Sequence, residues 1–354
     1  MRFIKLLINI YISKSLMAYH QLLFAPIPRL PPPRCPEHLG GHDPAVAVAE
    51  ITLDGTSVSI LVGENATIKA TVAPENAGNK KISWSSSDES IVKVDEYGFI
   101  TAVARGKADI VASSTDGSQI KASCEIIVSN PCPEGAVDMG TTTPDGFRFY
   151  WAVANLTADG RCDNTNEYGD FFAWGEMEPY YASLDPYVLK EGKADGYFWT
   201  SYKWYKGGTA AKPILSKYCL QADYWGGIGE PDAKTTLDPK DDTAHVLLGG
   251  NWRMPTNEEY SMLRRMCKGQ WITENGINGM KMTSTNGNTL FFPASEHIYQ
   301  TDKPARSWDG SYWTSTLTSG GYTMAYSFNV SKNGIAPSAS STRFLGLVIR
   351  PVSD

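Results

Sequence analysis

The chain has no excess of basic residues and no apolar run, beyond its first residues, that approaches the roughly 18 needed to span a bilayer. It contains 32 Lys and Arg against 38 Asp and Glu, which gives a formal net charge of −6. Binding to phosphate backbones needs a clustered basic excess. The sequence therefore predicts neither a nucleic-acid partner nor a membrane span.

Cysteines are few and scattered, with no C-x-x-C pair and no His at metal-ligand spacing beside any of them. The sequence therefore predicts no zinc site and no cofactor. Two alternatives stay open for the thiols: disulfides in an exported chain, such as Cys124–Cys132 or Cys162–Cys219, or buried free thiols. The six cysteines are Cys35, Cys124, Cys132, Cys162, Cys219 and Cys267.

Residues 1–46 form a signal-like and Pro-rich segment. Arg2 and Lys5 accompany the apolar stretch Leu6–Ile12, which is typical of an export signal. We expect an exported protein, extracellular or on the outer cell surface, with Cys35 as a candidate lipid-anchor site. A lipoprotein signal and a misassigned translation start are the alternatives.

Residues 47–128 consist of short runs in which apolar and polar residues alternate, separated by turn residues. This period-two pattern at spacings of about ten residues predicts an all-β sandwich. Trp84 lies in a central run and is expected in the core. The predicted strands are Glu50–Asp54, Ser57–Val62, Ala66–Val72, Lys81–Trp84, Ile91–Val94, Phe99–Val103, Ala108–Ala112 and Ile120–Val128.

Three stretches of this region, Leu53–Glu64, Trp84–Asp88 and Tyr97–Gly106, resemble the group 2 bacterial Ig-like domain. The resemblance implies a spacer or adhesin stalk on an extracellular bacterial protein. It brings no reaction chemistry with it. Residues 129–136, which contain two prolines and a glycine, are predicted to be a linker.

Residues 137–354 carry nine of the ten Trp residues and only short periodic runs, which predicts an α+β domain with many loops. Thr256 and Glu259 have the spacing of a capping box and predict a helix that stops at Gly269. A shorter helix is predicted near Asp241. Predicted strands are Thr289–Phe292, Tyr312–Leu317, Ala325–Val330 and Gly346–Arg350.

Five blocks in this region resemble the Fibrobacter major paralogous domain, and the phrase Trp252–Thr256 is similar to C-type-lectin-like folds in general. The resemblance implies a C-type-lectin-like domain over residues 137–354. Members of that wider set include formylglycine-generating enzymes, but no cysteine follows Cys267, which argues against that activity. The blocks are Glu167–Glu176, Leu237–Val246, Gly249–Thr256, Tyr312–Ser315 and Val348–Pro351.

Reaction chemistry has little support in this region. No G-x-S-x-G elbow is present, and of the two histidines His245 is expected to pack or hydrogen-bond within the short helix, while His297 is a candidate for ligand contact. Clustered carboxylates at Asp238, Asp241 and Asp242 are weak calcium candidates, because carboxylates at a helix start also stabilise the helix without metal.

Aromatic and charged side chains between the late strands are the best ligand-contact candidates, because loops on a rigid scaffold commonly build binding surfaces. A ring face beside an Asp or Arg suits a sugar or a peptide. The predicted ligand-binding residues are Tyr299, Arg306, Trp308, Asp309, Tyr322 and Arg343.

The leading hypothesis is a non-enzymatic cell-surface binding protein or adhesin. In this reading the Ig-like domain is a spacer, and the lectin-like domain recognises an extracellular glycan or protein. A structural subunit of a fimbrial or cell-envelope assembly is the alternative. A hydrolase that uses paired carboxylates comes third, because no particular pair stands out among the acidic residues.

Overall fold

The computed structural model describes residues 45–179, 196–219, 232–300, 308–319 and 322–354, and the backbone of two short strands between 181 and 189. These residues are mostly β-structure. None of the helices among them has the length and apolar character needed to cross a membrane.

Residues 47–128 form a sandwich, as the alternating pattern predicted. Its strands are β1 Glu50–Leu53, β2 Ser57–Leu61, β3 Asn65–Thr67, β4 Ala70–Ala73, β5 Ile82–Ser86, β6 Val92–Val94, β7 Phe99–Ala102, β8 Gly106–Ser114 and β9 Lys121–Ser129. The four-stranded sheet has the order β2-β9-β8-β5, and the remaining strands pair as β3-β7-β6 and β1-β4. The predicted strand Ala66–Val72 is in fact two strands, β3 and β4.

Ile68, Val92, Ile100, Ile110 and Ile126 fill the core of the sandwich, and each is buried. Trp84 is half-buried and packs on both apolar clusters of the domain. Gly98 has a φ of +80°, and a Cβ there would lie 2.5 Å from the Ile68 carbonyl oxygen, so the turn before β7 requires glycine.

The rest of the described chain is built from short strands and two α-helices. The strands are β10 Ala136–Val137, β11 Tyr150–Ala152, β12 Leu156–Thr157, β13 Gly160–Arg161, β14 Tyr181–Leu184, β15 Tyr187–Leu189, β16 Tyr205–Thr209, β17 Lys212–Leu215, β18 Trp252–Arg253, β19 Lys268–Glu274, β20 Ile277–Thr283, β21 Thr289–Pro293, β22 Asp309–Leu317, β23 Met324–Ser331, β24 Gly334–Thr342 and β25 Val352–Ser353. The helices are α1 Thr243–Leu248 and α2 Asn257–Met266, with 3₁₀ turns at Trp199–Ser201 and Pro239–Asp241.

Three sheets organise this region. The first sheet has the order β10-β11-β25-β18. Strand β11, near the start of residues 137–354, therefore pairs with β25, near the end of that region. The other two are the antiparallel sheets β19-β20-β21 and β22-β23-β24. The predicted strand Gly346–Arg350 was wrong: this segment forms only isolated bridges, at Gly346, Leu347 and Val348.

Helix α2 confirms the predicted capping box. The Thr256 hydroxyl accepts a hydrogen bond from the Glu259 amide at 3.2 Å, and the Glu259 carboxylate accepts one from the Thr256 amide at 2.8 Å. The helix ends at Met266, and its C-cap is Cys267. The C-cap lies two residues before Gly269, where the stop was predicted. Its buried side, Tyr260 and Leu263, packs into the core of this region.

That core is aromatic, because large rings dominate burial. Trp151, Trp174 and Trp313 are all fully buried. Trp252 is half-buried instead, and the Arg161 guanidinium lies 4.3 Å from its ring centroid. The core of residues 139–352 is separate from the two apolar clusters of the sandwich.

The predicted linker is continuous with the structure on both sides. Strand β9 runs as far as Ser129, whose hydroxyl accepts a hydrogen bond from the Arg148 amide at 2.9 Å. The next residue, Asn130, accepts one from the Tyr150 hydroxyl at 2.7 Å and donates one to the Asp354 carbonyl at 3.0 Å.

Candidate functional site

Antiparallel register between β22 and β23 gathers polar side chains on one face of their sheet. Asp309 pairs with Ser331, and Ser311 pairs with Asn329. Directly opposed residues, and residues two apart on a strand, share a face. Polar groups that are about 20 residues apart in the sequence are therefore neighbours.

A recess of about 350 Å³ opens beside this polar face and the turn that joins β23 to β24. We call it the Asp309 recess. Its polar lining comes from Asp309, Asn329, Ser331 and Asn333, and its apolar lining includes Val330 and Ile335. A few polar groups on an apolar floor is the composition typical of small-ligand sites.

Burial raises the pKa of the Asp309 carboxyl, and the negative charge of Glu296 raises it further, while the charge of His297 opposes both. The chain segment that carries Glu296 and His297 is fixed next to Asp309, because the Glu296 amide donates to the Asp309 carbonyl at 2.9 Å. His297 is exposed there. Asp309 is therefore a partly desolvated carboxyl at the rim of a concave surface.

Trp308 stands next to Asp309 in the chain, and 72% of it is exposed. Exposed single apolar residues are ordinary on protein surfaces, and Trp308 is not among the residues that line the recess. Asp309 is the predicted residue that lines this site, and Trp308 is its neighbour in the chain.

Asn329 lines the recess, and its Oδ1 is buried without a hydrogen-bond partner among the described residues. The Ser331 hydroxyl already accepts from the Asn333 amide at 3.2 Å and lies 3.4 Å from the Gly334 carbonyl oxygen, to which it donates. The recess therefore contains one fixed hydroxyl and one amide that no hydrogen bond holds in place.

Tyr299 lies apart from the recess lining. It is 44% exposed, and its ring centroid is 6.0 Å from that of Phe344. Phe344 in turn contacts Trp199, with centroids 4.9 Å apart. Tyr322 is half-buried and packs on the C-terminal core. Arg306 lies outside the described residues.

Arg343 was predicted as a ligand contact, but the structure places it in the core, with 0% exposure. Its Nε donates to the Tyr202 hydroxyl at 3.0 Å. The two terminal nitrogens donate to three backbone carbonyls, those of Lys217, Tyr218 and Tyr322, at 3.0 to 3.3 Å. A guanidinium enclosed in this way ties loops together and is out of reach of a ligand.

The three calcium candidates do not converge on one point. Asp241 pairs with Lys203 and Lys217 and accepts a hydrogen bond from the Tyr218 hydroxyl. Burial raises the pKa of Asp241, but these hydrogen bonds outweigh burial and leave the pKa lowered. The carboxylate is therefore held ionised by lysines, and a calcium ion would have to displace them.

Asp238 pairs with Lys234 and Lys217, which extends the ion-pair chain on the surface. Asp242 instead caps α1, accepting from the amides of His245 and Met254 at 2.9 to 3.0 Å. Among the described residues no group of three His, Cys, Asp or Glu side chains is arranged to hold a metal ion. His245 also has a structural partner, since its Nδ1 lies 3.1 Å from the Trp252 carbonyl oxygen.

The five cysteines within the described residues are free thiols, so the structure does not contain the two disulfides that were considered. Burial raises the pKa of the Cys162 thiol to about 12 and that of Cys219 to about 11. Such thiols are protonated at neutral pH and therefore poor nucleophiles.

Two further recesses are less suited to a ligand. One of about 430 Å³ is lined by Glu176 and Lys203, but the Glu176 carboxylate accepts from the Lys203 amide and the Lys203 ammonium is paired with Asp241. The other, of about 700 Å³, is lined by Arg161, which donates to the Gly135 carbonyl and covers Trp252. Glu176, Lys203 and Arg161 are thus already engaged within the protein.

Sequence reasoning missed Glu296, Asn329, Ser331 and Asn333. An Asn-Gly pair between two runs of alternating apolar and polar residues indicates a β-hairpin. Asn333-Gly334 is such a pair, and it could have predicted the turn between β23 and β24. Placing Asn329 and Ser331 opposite Asp309 also requires the register of β22 and β23, which is a long-range property.

Residues 47–126 match the family model of the bacterial Ig-like domain (group 2). The first domain of the chain is therefore a bacterial Ig-like domain, as the resemblance predicted.

Individual proteins are similar over about the length of one such domain. An uncharacterized protein of Clostridium acetobutylicum is 38% identical over 93 residues, which are 26% of this chain and 10% of that protein. A 3-O-alpha-D-galactosyl-alpha-L-arabinofuranosidase of Bifidobacterium longum subsp. longum is 34% identical over 89 residues, 23% of this chain and 8% of the enzyme. The chain thus spans a tenth or less of these two relatives.

Two solved structures match over a similar share of this chain. Domains 4 and 5 of the S-layer protein SbsC share 21% identity, covering 23% of this chain and 52% of theirs, with a TM-score of 0.20. An intimin mutant of EHEC O157:H7 shares 24% identity, covering 23% of this chain and 46% of its own, with a TM-score of 0.19.

Proposed function

We propose that this protein is an exported surface binding protein in which the Ig-like domain is a spacer and residues 137–354 recognise a glycan through the Asp309 recess. The observation that carries the proposal is a concave, partly polar surface that contains an unsatisfied amide and is lined by Asp309, whose neighbour in the chain is the exposed Trp308. A sugar ring offers an apolar face to stack on the indole and hydroxyls to bond the polar lining.

Support for a carbohydrate context also comes from the relatives. Proteins named as an arabinofuranosidase and a lacto-N-biosidase share a stretch of 84 to 89 residues with this chain. Ig-like domains that accompany such enzymes are accessory to carbohydrate chemistry. The same domain here is consistent with display outside the cell, where polysaccharides occur.

A C-type-lectin-like fold for residues 137–354 is part of the proposal. It is supported by the pairing of β11 with β25 and by the Trp252–Thr256 phrase, which leads into a capped helix. Arg253 in that phrase forms ion pairs with Glu259 at 2.6 Å and with Asp354 at 2.7 Å. Arg253 therefore links the start of the helix to Asp354, the residue after β25.

Glycan-array binding of the full chain tests the proposal, with Trp308→Ala as the variant. We expect Trp308→Ala to lose at least about tenfold in affinity for the bound glycan, because truncation of an aromatic residue that anchors a ligand costs about 2 kcal/mol or more. Tyr97→Ala is the matched control, since Tyr97 is an aromatic residue that is 76% exposed on the Ig-like domain. Binding that survives Trp308→Ala, or no binding to any glycan, would remove the assignment.

A glycoside hydrolase is the second candidate, because Glu296 lies next to Asp309 and raises its pKa. A carboxyl with a raised pKa beside a second carboxylate is the arrangement of an acid and its partner in such enzymes. Incubation of each bound glycan with the protein, followed by an assay for new reducing ends, separates the candidates. We expect binding without release. Release that stops in both Asp309→Asn and Glu296→Gln would favour the hydrolase.

A further inference from the structure

The polar lining of the Asp309 recess includes two groups that present acceptors. Asp309 contributes a carboxylate, and the Ser331 hydroxyl proton is already directed to the Gly334 carbonyl, which leaves the hydroxyl oxygen as an acceptor. The side-chain amides of Asn329 and Asn333 carry both donors and acceptors. No cationic side chain belongs to the lining in the part of the chain that the structure describes. A group that bonds to Asp309 and Ser331 must therefore supply donors.

The Asp309 carboxylate has unused acceptor capacity. No hydrogen bond or ion pair to it occurs within the described ranges. The charged and titratable groups around it are Glu296 and His297 on the neighbouring segment and Lys332, which lies in the turn between two lining residues. A half-buried carboxylate without a partner is stabilised by a cation that brings its own donors.

The Asn329 amide can supply a second acceptor in one of its two orientations. Its Oδ1 is buried and has no partner within the described structure. A half-turn of the amide exchanges the positions of Oδ1 and Nδ2, so that the oxygen leaves the buried position and the Nδ2 donors take it. Two acceptors, one of them charged, then face the same space.

We infer that the recess binds a hexosamine whose amino group is unsubstituted, with the ammonium on Asp309 and Asn329 and the sugar ring against Trp308. The inference rests on the proposed glycan recognition and specifies the class of sugar. An ammonium has three donors and no acceptor, which matches this lining. An N-acetylated amine is neutral and offers one donor, and a uronic or sulfated sugar brings a negative charge toward two carboxylates.

A metal ion is a poorer occupant. Calcium takes six to eight oxygen ligands, commonly from several carboxylates. The described residues contain no cluster of three potential metal-binding side chains, at this recess or elsewhere. A single carboxylate beside an amide is sufficient for an ammonium.

The experiment compares two trisaccharides of equal length, tri-glucosamine and tri-N-acetylglucosamine, binding to the full chain by calorimetry at pH 6 in 0.15 M salt. We expect at least about tenfold tighter binding of tri-glucosamine, which corresponds to about 1.4 kcal/mol. Asp309→Asn is expected to remove this preference while leaving the weaker neutral binding in place.

Non-specific attraction is a concern, because the protein's net charge of −6 favours any cationic oligomer. Asp159→Asn is the matched control: it removes one exposed carboxylate, and hence the same charge, away from the recess. The preference should survive in Asp159→Asn. If both variants lose it equally, the attraction is diffuse and the inference is overturned.

The remaining outcomes separate the inference from the proposed function. Equal binding of the two trisaccharides, with loss in Trp308→Ala, overturns the amino-sugar inference and leaves glycan recognition standing. Binding of neither trisaccharide, together with an empty glycan array, overturns both. A preference that persists in Asp309→Asn shows that the ammonium lies elsewhere and contradicts the inference.

Discussion

Arg343 is a buried charge that pairs with no carboxylate among the described residues. Its guanidinium donates hydrogen bonds to three backbone carbonyls and to the Tyr202 hydroxyl. It also faces aromatic rings, and its Cζ lies 4.8 Å from the ring centroid of Trp174. Transfer of an ion out of water is costly unless such partners are all present. The residue therefore fixes several segments at once: the 217–218 backbone, Tyr322 and the Trp174 ring.

We expect Arg343→Lys to destabilise the protein by about 3 kcal/mol, since an ammonium cannot span the planar set of acceptors and leaves buried carbonyls unpaired. The free energy of unfolding in urea measures the effect. Arg264→Lys, on the exposed side of α2, is the matched control and should change stability by less than about 0.5 kcal/mol. Equal effects of the two substitutions would show that the buried bonds contribute little.

The contribution of Asp309 to stability should change with pH in the opposite direction to that of a carboxylate in an ion pair. Its pKa is raised in the folded state, so the folded state holds the proton more readily than the unfolded chain. Stability contributed by this group therefore falls as the pH rises through that pKa. Asp309→Asn should be more stable than the wild type at pH 7, by less than about 1 kcal/mol because the group is half-exposed.

This advantage should disappear below the unfolded pKa of about 4, where both states are protonated. Urea unfolding at pH 7 and pH 3.5 compares the two conditions, with Asp159→Asn as the control for lost charge. A wild type that is more stable than Asp309→Asn at pH 7 would show that the carboxylate has a favourable partner within the protein.

Helix α2 shows how local signals produce an element. Thr256 and Glu259 satisfy each other's backbone amides, and the same Glu259 carboxylate also binds Arg253 at 2.6 Å. The cap thus connects the helix start to β18. Because the pattern lies within four residues, the sequence alone was sufficient to predict it.

Thr256→Ala should cost about 1 kcal/mol of stability, the usual effect of removing an N-cap hydroxyl. Thr285→Ala is the matched control, because Thr285 is an exposed threonine in a turn. The difference in free energy of unfolding between the two variants isolates the cap. A difference near zero would mean that the Arg253–Glu259 ion pair holds the helix start by itself.

Elements with an alternating or capped pattern were predictable, and others were not. Strands β1, β2, β6, β7 and β8 follow apolar alternation because one face of each contains buried residues. Strand β19 has no buried residue, so it has no such pattern, and β24 contains Pro337, which normally argues against a strand. Both are fixed by pairing with neighbouring strands instead.

The candidate site was predictable only in part for a related reason. Trp308 and Asp309 stand out as an aromatic and a charged residue beside a strand. Asn329 acquires its role from the register of β22 and β23, and Arg343 is buried by segments more than 120 residues away in the chain. No local property of the sequence contains this information.

The spacer role proposed for the Ig-like domain depends on its junction with the rest of the chain. The predicted linker is tied at Ser129 and Asn130, and Arg105 of the sandwich lies 4.3 Å from the ring centroid of Phe147. A spacer with a defined junction holds a binding surface at a fixed orientation, whereas a free linker would not. The junction is thus a testable part of the architecture.

Ser129→Ala should loosen this junction more than it affects either core. Ser129 is buried, and its hydroxyl is the acceptor for the Arg148 amide, which would be left unpaired at a cost of about 1–3 kcal/mol. Hydrogen exchange should show faster exchange at Arg148 with little change at Ile110, inside the sandwich. Ser123→Ala, an exposed serine on the same strand, is the control. If hydrogen exchange at the Arg148 amide is unchanged in Ser129→Ala, other contacts hold the junction. The contact between Arg105 and Phe147 would then be the one that keeps the spacer rigid.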